Sequence, residues 1–169
     1  MTPTVVAMPV RKTIVVNASV RDAFDVFTDD IDSWWPRTHH IGKSPMRRVI
    51  VEGKAGGRCY TEQEDGSQAD WGRVLEWSPP NKLLLAWQIT HEWGYQPDLA
   101  KASEVEVRFV AERPNRTRVE LEHRHFERQG AGGETMRAAV DAPNGWTAIA
   151  SLYERRVAAR FGQGTEKSP

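Results

Sequence analysis

Cysteine is nearly absent from this sequence: Cys59 stands alone, so no internal disulfide can form and the fold has to rest on one packed core. Net charge is missing as well. Twenty-three Lys and Arg balance twenty-three Asp and Glu, which leaves no overall field to draw the chain to nucleic acid or to an anionic surface. The N-terminus carries neither the apolar run of a signal peptide nor a membrane span. These absences point to a cytoplasmic protein with no nucleic-acid partner. A nucleotide loop is excluded too: Gly42-Lys43-Ser44 copies the end of one, but Arg37 stands where that motif needs glycine, and no strand leads into it. Cys59 has no histidine beside it in sequence, which argues against a nucleophile.

What is present is apolar patterning. With 169 residues, 39% of them apolar, the chain can bury about 70% of its unfolded surface as one domain. That domain is expected over 10–161, with 1–9 and 162–169 as flexible tails. The stretch 144–160 organises the rest. Trp146, Ile149, Ala150, Tyr153 and Val157 fall at i, i+3, i+4, i+7 and i+11, the stripe of an amphipathic helix, with Asn144 as its expected cap and Gly162 as its stop. Near the start, a strand over 10–16 is followed by a capping box at 19–22, which opens a helix that ends near Thr28. A further short turn precedes Pro36, and 134–140 reads as a short helix. Between them the texture is β: strands over 47–52, 58–64, 70–77, 82–93, 103–111 and 116–126, separated by Gly-, Pro- and Asn-rich turns, in the manner of an antiparallel meander.

Parity along these strands assigns faces. Leu83, Leu85, Trp87, Ile89, His91 and Trp93 share one side, as do Val105, Val107 and Phe109 on the next strand. On the last strand Val119, Leu121, His123 and His125 form the inner set, so His91, His123 and His125 are expected to gather where the apolar face gives out. Two histidines two residues apart on one strand have Cα atoms about 6.8 Å from each other, a chelating distance. His91 is two strands away and no acid or cysteine completes a site, so no metal is assigned. Trp71 and Trp77 share a parity with Leu75. Arg58 and Tyr60 share another face, and if it looks inward Arg58 or Arg73 could hold an anionic ligand group. Trp34-Trp35, with His39 and His40, reads as either a mouth or a hydrophobic plug.

The run GGRCYTEQEDGSQADWGRVLEWSPPNKLLLAW over 56–87, then TRVELEHRHFE over 117–127, then Gly145-Trp146 at the start of the last helix, resembles the activator-of-heat-shock-ATPase homologue branch of the START and Bet v 1-like superfamily. The likeness covers nearly all of 10–161; His125 and the long connection 130–143 depart from its pattern. It implies an α+β helix-grip fold, a curved antiparallel β-sheet wrapped around a long C-terminal α-helix with an internal apolar cavity. The superfamily includes lipid carriers, polyketide cyclases and co-chaperone domains.

The expected function is therefore binding of a small hydrophobic or aromatic molecule, as carrier or sensor. The alternatives are a cyclase-like enzyme using cavity His and Tyr, and a co-chaperone-like interaction domain. The expected ligand-binding side chains are Trp71, Trp87, Trp93, Trp146 and Tyr153 for the aromatic wall, His91, His123 and His125 for its polar end, and Arg58 and Tyr60 beside it. No cofactor is expected, and a homodimer is left open.

Overall fold

The computed structural model describes residues 8–162; most of the two expected tails falls outside them. Strand β1 (Val10–Val16) leads into α1 (Val20–Phe27), whose first turn is capped by Ser19 Oγ accepting from the Asp22 N–H at 3.1 Å. After a 3-10 turn at Ile31–Ser33 come β2 (Met46–Val51), β3 (Arg58–Gln63), β4 (Gln68–Ser78), β5 (Lys82–Trp87), β6 (Ser103–Arg113) and β7 (Arg116–Arg124). A 3-10 segment (Phe126–Gly132), α2 (Gly133–Asp141) and α3 (Trp146–Phe161) complete the order.

The seven strands form one antiparallel curled sheet in the order β1-β7-β6-β5-β4-β3-β2. Residues opposite each other share a face, so Val10, His123, Val105, Leu85 and Val74 make one inner row across five strands. The residues between them turn outward, where Arg124 bridges Glu104, Glu106 and Glu122 at 3.2 to 3.3 Å. Against the inner face lies α3, burying Trp146, Ile149, Tyr153 and Val157 as its stripe requires. This is the helix-grip arrangement. No helix among the described residues is long and apolar enough to cross a membrane.

Four local expectations are corrected. The strand expected to reach Trp93 stops at Trp87, because β6 begins at Ser103, opposite Trp87, and offers no ladder beyond it. Residues 88–96 fold back instead: Ile89 bridges Tyr95, the Thr90 N–H donates to the Gly94 carbonyl at 2.8 Å, and Trp93 takes a left-handed φ of 61°. Likewise β7 ends at Arg124, since His125 has φ 64° and swings the chain off the sheet; Phe126 becomes the buried neighbour. Bulges between Cys59 and Tyr60 and between Val74 and Glu76 interrupt the parity of β4. Leu75 is consequently exposed, whereas Trp77 packs edge-on against Phe24. Last, Gly145 rather than Asn144 is the N-cap of α3. A Cβ at Gly145 would strike the Val140 carbonyl, so the close turn from α2 into α3 demands glycine.

Candidate functional site

Between the sheet and the N-terminal end of α3 is a cavity of about 410 Å³, within the range of small-ligand sites. Trp71 and Trp87, on neighbouring strands, form its sheet wall; Trp146 and Ile149 of α3 face them, and Ala139 and Val140 of α2 close one side. The loop 36–45 supplies Thr38, His39, His40 and Ile41, with Trp35 just before it. The aromatic rings are mutually braced. Trp35 stacks on Trp71 with centroids 5.8 Å apart and planes 14° from parallel, Trp71 meets Trp87 edge-on at 6.0 Å, and Trp87 tilts against Trp146 at 5.7 Å. No Asp, Glu, Lys or Arg lines the cavity; its wall is mostly apolar, with Thr38, His39, His40 and Asn144 as the polar side chains on it.

The rim is tied by His39. Its Nε2–H donates to the Asn144 carbonyl at 2.8 Å, because a carbonyl can only accept; its Nδ1 then faces the Thr38 hydroxyl at 3.0 Å. The Trp35 indole N–H donates to the His39 carbonyl at 2.9 Å. One histidine thus joins loop 36–45 to the α2–α3 turn across the opening. His40 sits beside it, its Nδ1 3.4 Å from the Gln63 amide nitrogen.

Behind the wall lies His123, fully buried and not part of this cavity's lining. The Trp146 indole N–H donates to its Nδ1 at 3.0 Å; the ring proton is therefore on Nε2, which donates to Ser103 Oγ at 2.8 Å. Burial drives the imidazole down to about 3 from an ordinary 6.5, so the ring is neutral and acts as a spacer that fixes Trp146. Tyr153 is also buried beyond the cavity, its hydroxyl donating to the Ala23 carbonyl at 2.7 Å.

Of the side chains expected to line a site, Trp71, Trp87, Trp93 and Trp146 do come together around this space. Trp93 arrives from the loop and is 53% exposed. His91 and His125 do not: they left the sheet with their segments, His91 settling over Gly132, where a Cβ would collide with its ring, and His125 lying 3.4 Å from Glu127. The three histidines are therefore not gathered, and no group of three His, Cys, Asp or Glu among the described residues could hold a metal ion. Arg58 and Tyr60 face outward, since the alternating Cys59, Thr61 and Gln63 are the buried set. Arg58 is spent on Asp70 at 2.6 Å and lies 4.0 Å above the Tyr60 ring. Arg73, opposite Arg58, shares that face. Cys59 is buried, and burial pushes its thiol up, away from a reactive thiolate.

Sequence reasoning missed the α2 wall. Met136 and Val140, four apart and buried, were the available signal for an inward helix face, with Ala139 beside it.

A curled sheet gripping a helix over an aromatic-walled space is a cavity-type ligand-binding domain. The family model for activator of Hsp90 ATPase homolog 1-like proteins matches residues 17–152, and the chain belongs to that family. Among solved structures it is similar to an anthrahydroquino-gamma-pyrone synthase, Txn09, complexed with SUM, at 40% identity over 87% of this chain and 97% of that one, with a TM-score of 0.61. It is also similar to CalC from Micromonospora echinospora, described as a self-sacrificing resistance protein, at 27% identity over 94% of this chain and 97% of that one, TM-score 0.67. Protein NE0264 from Nitrosomonas europaea, at 15% identity over 94% and 99% of the two chains and TM-score 0.64, bears on the fold alone. No curated protein matches the chain.

Proposed function

We propose that the protein binds a small planar aromatic molecule in the tryptophan-walled cavity, as a carrier or sensor. The observation that carries this reading is the mostly apolar wall in which Trp35 and Trp71 lie nearly parallel while Trp87 and Trp146 stand at angles to them. Rings offered at several orientations suit a flat ligand, which can stack on one and meet others edge-on. A flexible acyl chain gains less from such surfaces. The similarity to an anthrahydroquino-gamma-pyrone synthase supports the same ligand shape. The test is titration of the purified protein with anthraquinone-2-sulfonate while tryptophan emission is followed. Saturable quenching at micromolar concentration is expected; a response no larger than that of free tryptophan would overturn the reading.

A second reading, a ring-closing enzyme acting on an aromatic polyketide, is favoured by that same 40% identity together with the imidazoles of His39 and His40 on the cavity lining. Ring closure within one molecule requires a proton taken and a proton returned, work suited to imidazole. Incubation with a hydroxylated anthraquinone bearing an open enone side chain, whose C=C is consumed as the ring O–H adds across it and the proton passes from oxygen to carbon, would give a product of unchanged mass and altered retention time. Binding without conversion leaves the carrier or sensor.

A further inference from the structure

Loop 36–45 offers the cavity two imidazoles, and they are not equivalent. His39 is spent: its Nε2–H is on the Asn144 carbonyl and its Nδ1 faces the Thr38 hydroxyl. His40 has only one nitrogen engaged. Its Nδ1 lies 3.4 Å from the amide nitrogen of Gln63, while its Nε2 meets no partner among the described residues and is not buried. Gln63 itself is 1% exposed, on the inner face of β3, and both ends of its amide are assigned. The nitrogen donates to the Ser44 carbonyl at 2.9 Å, since a carbonyl can only accept, and the oxygen accepts from the Thr61 hydroxyl. The second amide hydrogen is left for His40 Nδ1, which is therefore the lone-pair nitrogen, and the proton of the neutral ring is on Nε2. The loop is built around this amide: a Cβ at Gly42 would sit 2.3 Å from its carbon. Buried polar side chains such as Thr61 and Gln63 carry a desolvation cost that an apolar pair would avoid, so their network calls for a reason.

We propose that His40 donates its Nε2–H to a carbonyl oxygen of the ligand, with Gln63 as the positioning residue that fixes the tautomer, so that the ligand's oxygenated edge lies at loop 36–45 and its apolar edge against Trp71, Trp87 and Trp146. The proposal rests on the cavity reading above and adds a donor and an orientation to it. The two nitrogens of an imidazole point to different sides of the ring, so a ring whose Nδ1 is turned to a buried amide turns Nε2 away from it, towards the space that His40 lines. Of the other polar side chains on the lining, Thr38 and His39 are engaged with each other and Asn144 is exposed at the α2–α3 turn. An N–H selects an acceptor. The lining holds no Lys or Arg, so a carboxylate buried there would lack a countercharge, whereas a neutral carbonyl needs none. The same tautomer makes His40 a proton donor at the cavity and not a base.

The test compares anthraquinone-2-sulfonate with anthracene-2-sulfonate, which share shape and charge and differ in the two carbonyls, by equilibrium dialysis against wild type, His40→Phe and Gln63→Leu. Wild type is expected to prefer the quinone by about 5-fold, and both variants should bring the two affinities close to equal. A Gln63 that only ties the loop down would, when replaced, weaken both probes alike and keep their ratio, which overturns its positioning role. In wild type labelled with ¹⁵N-histidine, two-bond correlations, with His40 assigned from its loss in His40→Phe, should show the Nε2–H tautomer before any ligand is added. That Nε2 proton should move downfield with the quinone and not with the anthracene, a readout that survives even if Gln63→Leu fails to fold. The Nδ1–H tautomer in the free protein, equal affinity for both probes in wild type, or a quinone preference that persists in His40→Phe would overturn the proposal and leave aromatic binding standing. If neither probe binds, the cavity reading falls and the proposal with it.

Discussion

The interior has two aromatic regions of similar richness and opposite construction. Under α1, Phe24, Phe27, Phe109, Trp34 and Tyr153 interlock with centroids 5.1 to 5.8 Å apart, mostly edge to face. Their polar tips are satisfied by backbone carbonyls, and the space beside Tyr153 amounts to only about 20 Å³. Beneath α2 and the start of α3, Trp35, Trp71, Trp87 and Trp146 surround about 410 Å³, and two of their donors are unmet. Aromatic content alone does not separate a filled core from a binding wall. What separates them is whether a helix side chain fills the middle and whether the polar tips are paired.

The largest effect that would sharpen this contrast is Phe24→Ala in the filled region. It removes a fully buried ring that touches Trp77 and Phe109 and should cost about 3–5 kcal/mol in urea unfolding, while the remaining folded protein still quenches with an aromatic probe. Lost binding at unchanged stability would show that the two regions are not independent.

His123→Phe comes next, because it strips the partner from the Trp146 N–H and from Ser103. A loss of about 1–3 kcal/mol is expected, along with weaker probe binding as Trp146 loosens. It also changes the pH dependence. The folded imidazole titrates near 3 and its ordinary value is 6.5, so between those values the unfolded chain holds a proton that the folded one does not. Wild-type stability is therefore intact above pH 6.5 and declines as pH falls towards 3. The variant should lose that share of the slope; identical slopes in unfolding curves at pH 7, 6, 5 and 4 would refute the assignment.

Ala139→Leu adds carbon to the cavity side of α2 and should leave stability unchanged or raised by about 0.5–2 kcal/mol, yet reduce probe affinity at least about 10-fold as the space closes. Smallest of all, Arg58→Ala breaks a half-exposed pair with Asp70 on the outer face. It should alter stability by no more than about 1 kcal/mol and leave probe binding unchanged; a clear loss of binding would put Arg58 back in the site.

Much of this was legible before any coordinates. The stripe Trp146, Ile149, Tyr153 and Val157 and the alternation along β6 and β7 are direct consequences of the helical and strand periods, and all of those helix positions are buried as read. The pairing of Val105 with His123 follows from the short turn at Pro114. Two site tryptophans, Trp87 on β5 and Trp146 on α3, were readable for the same reason. Residues 88–93 and His125 were not. Their alternation continues the strand pattern without a break, and only the missing neighbour strand and two left-handed backbone positions end it.

By itself, then, the sequence determined the layers: which residues face inward on a regular strand or helix depends on local period and side-chain polarity, and both are written residue by residue. Tertiary structure alone decided the site. Whether Arg58 and Tyr60 turn in or out depends on which face of β3 the curled sheet closes over, whether His123 meets a ligand or Trp146 depends on where α3 begins, and whether two indole N–H groups go unpaired depends on every neighbour at once. Those are distances between segments far apart in the chain, and no period within a segment records them.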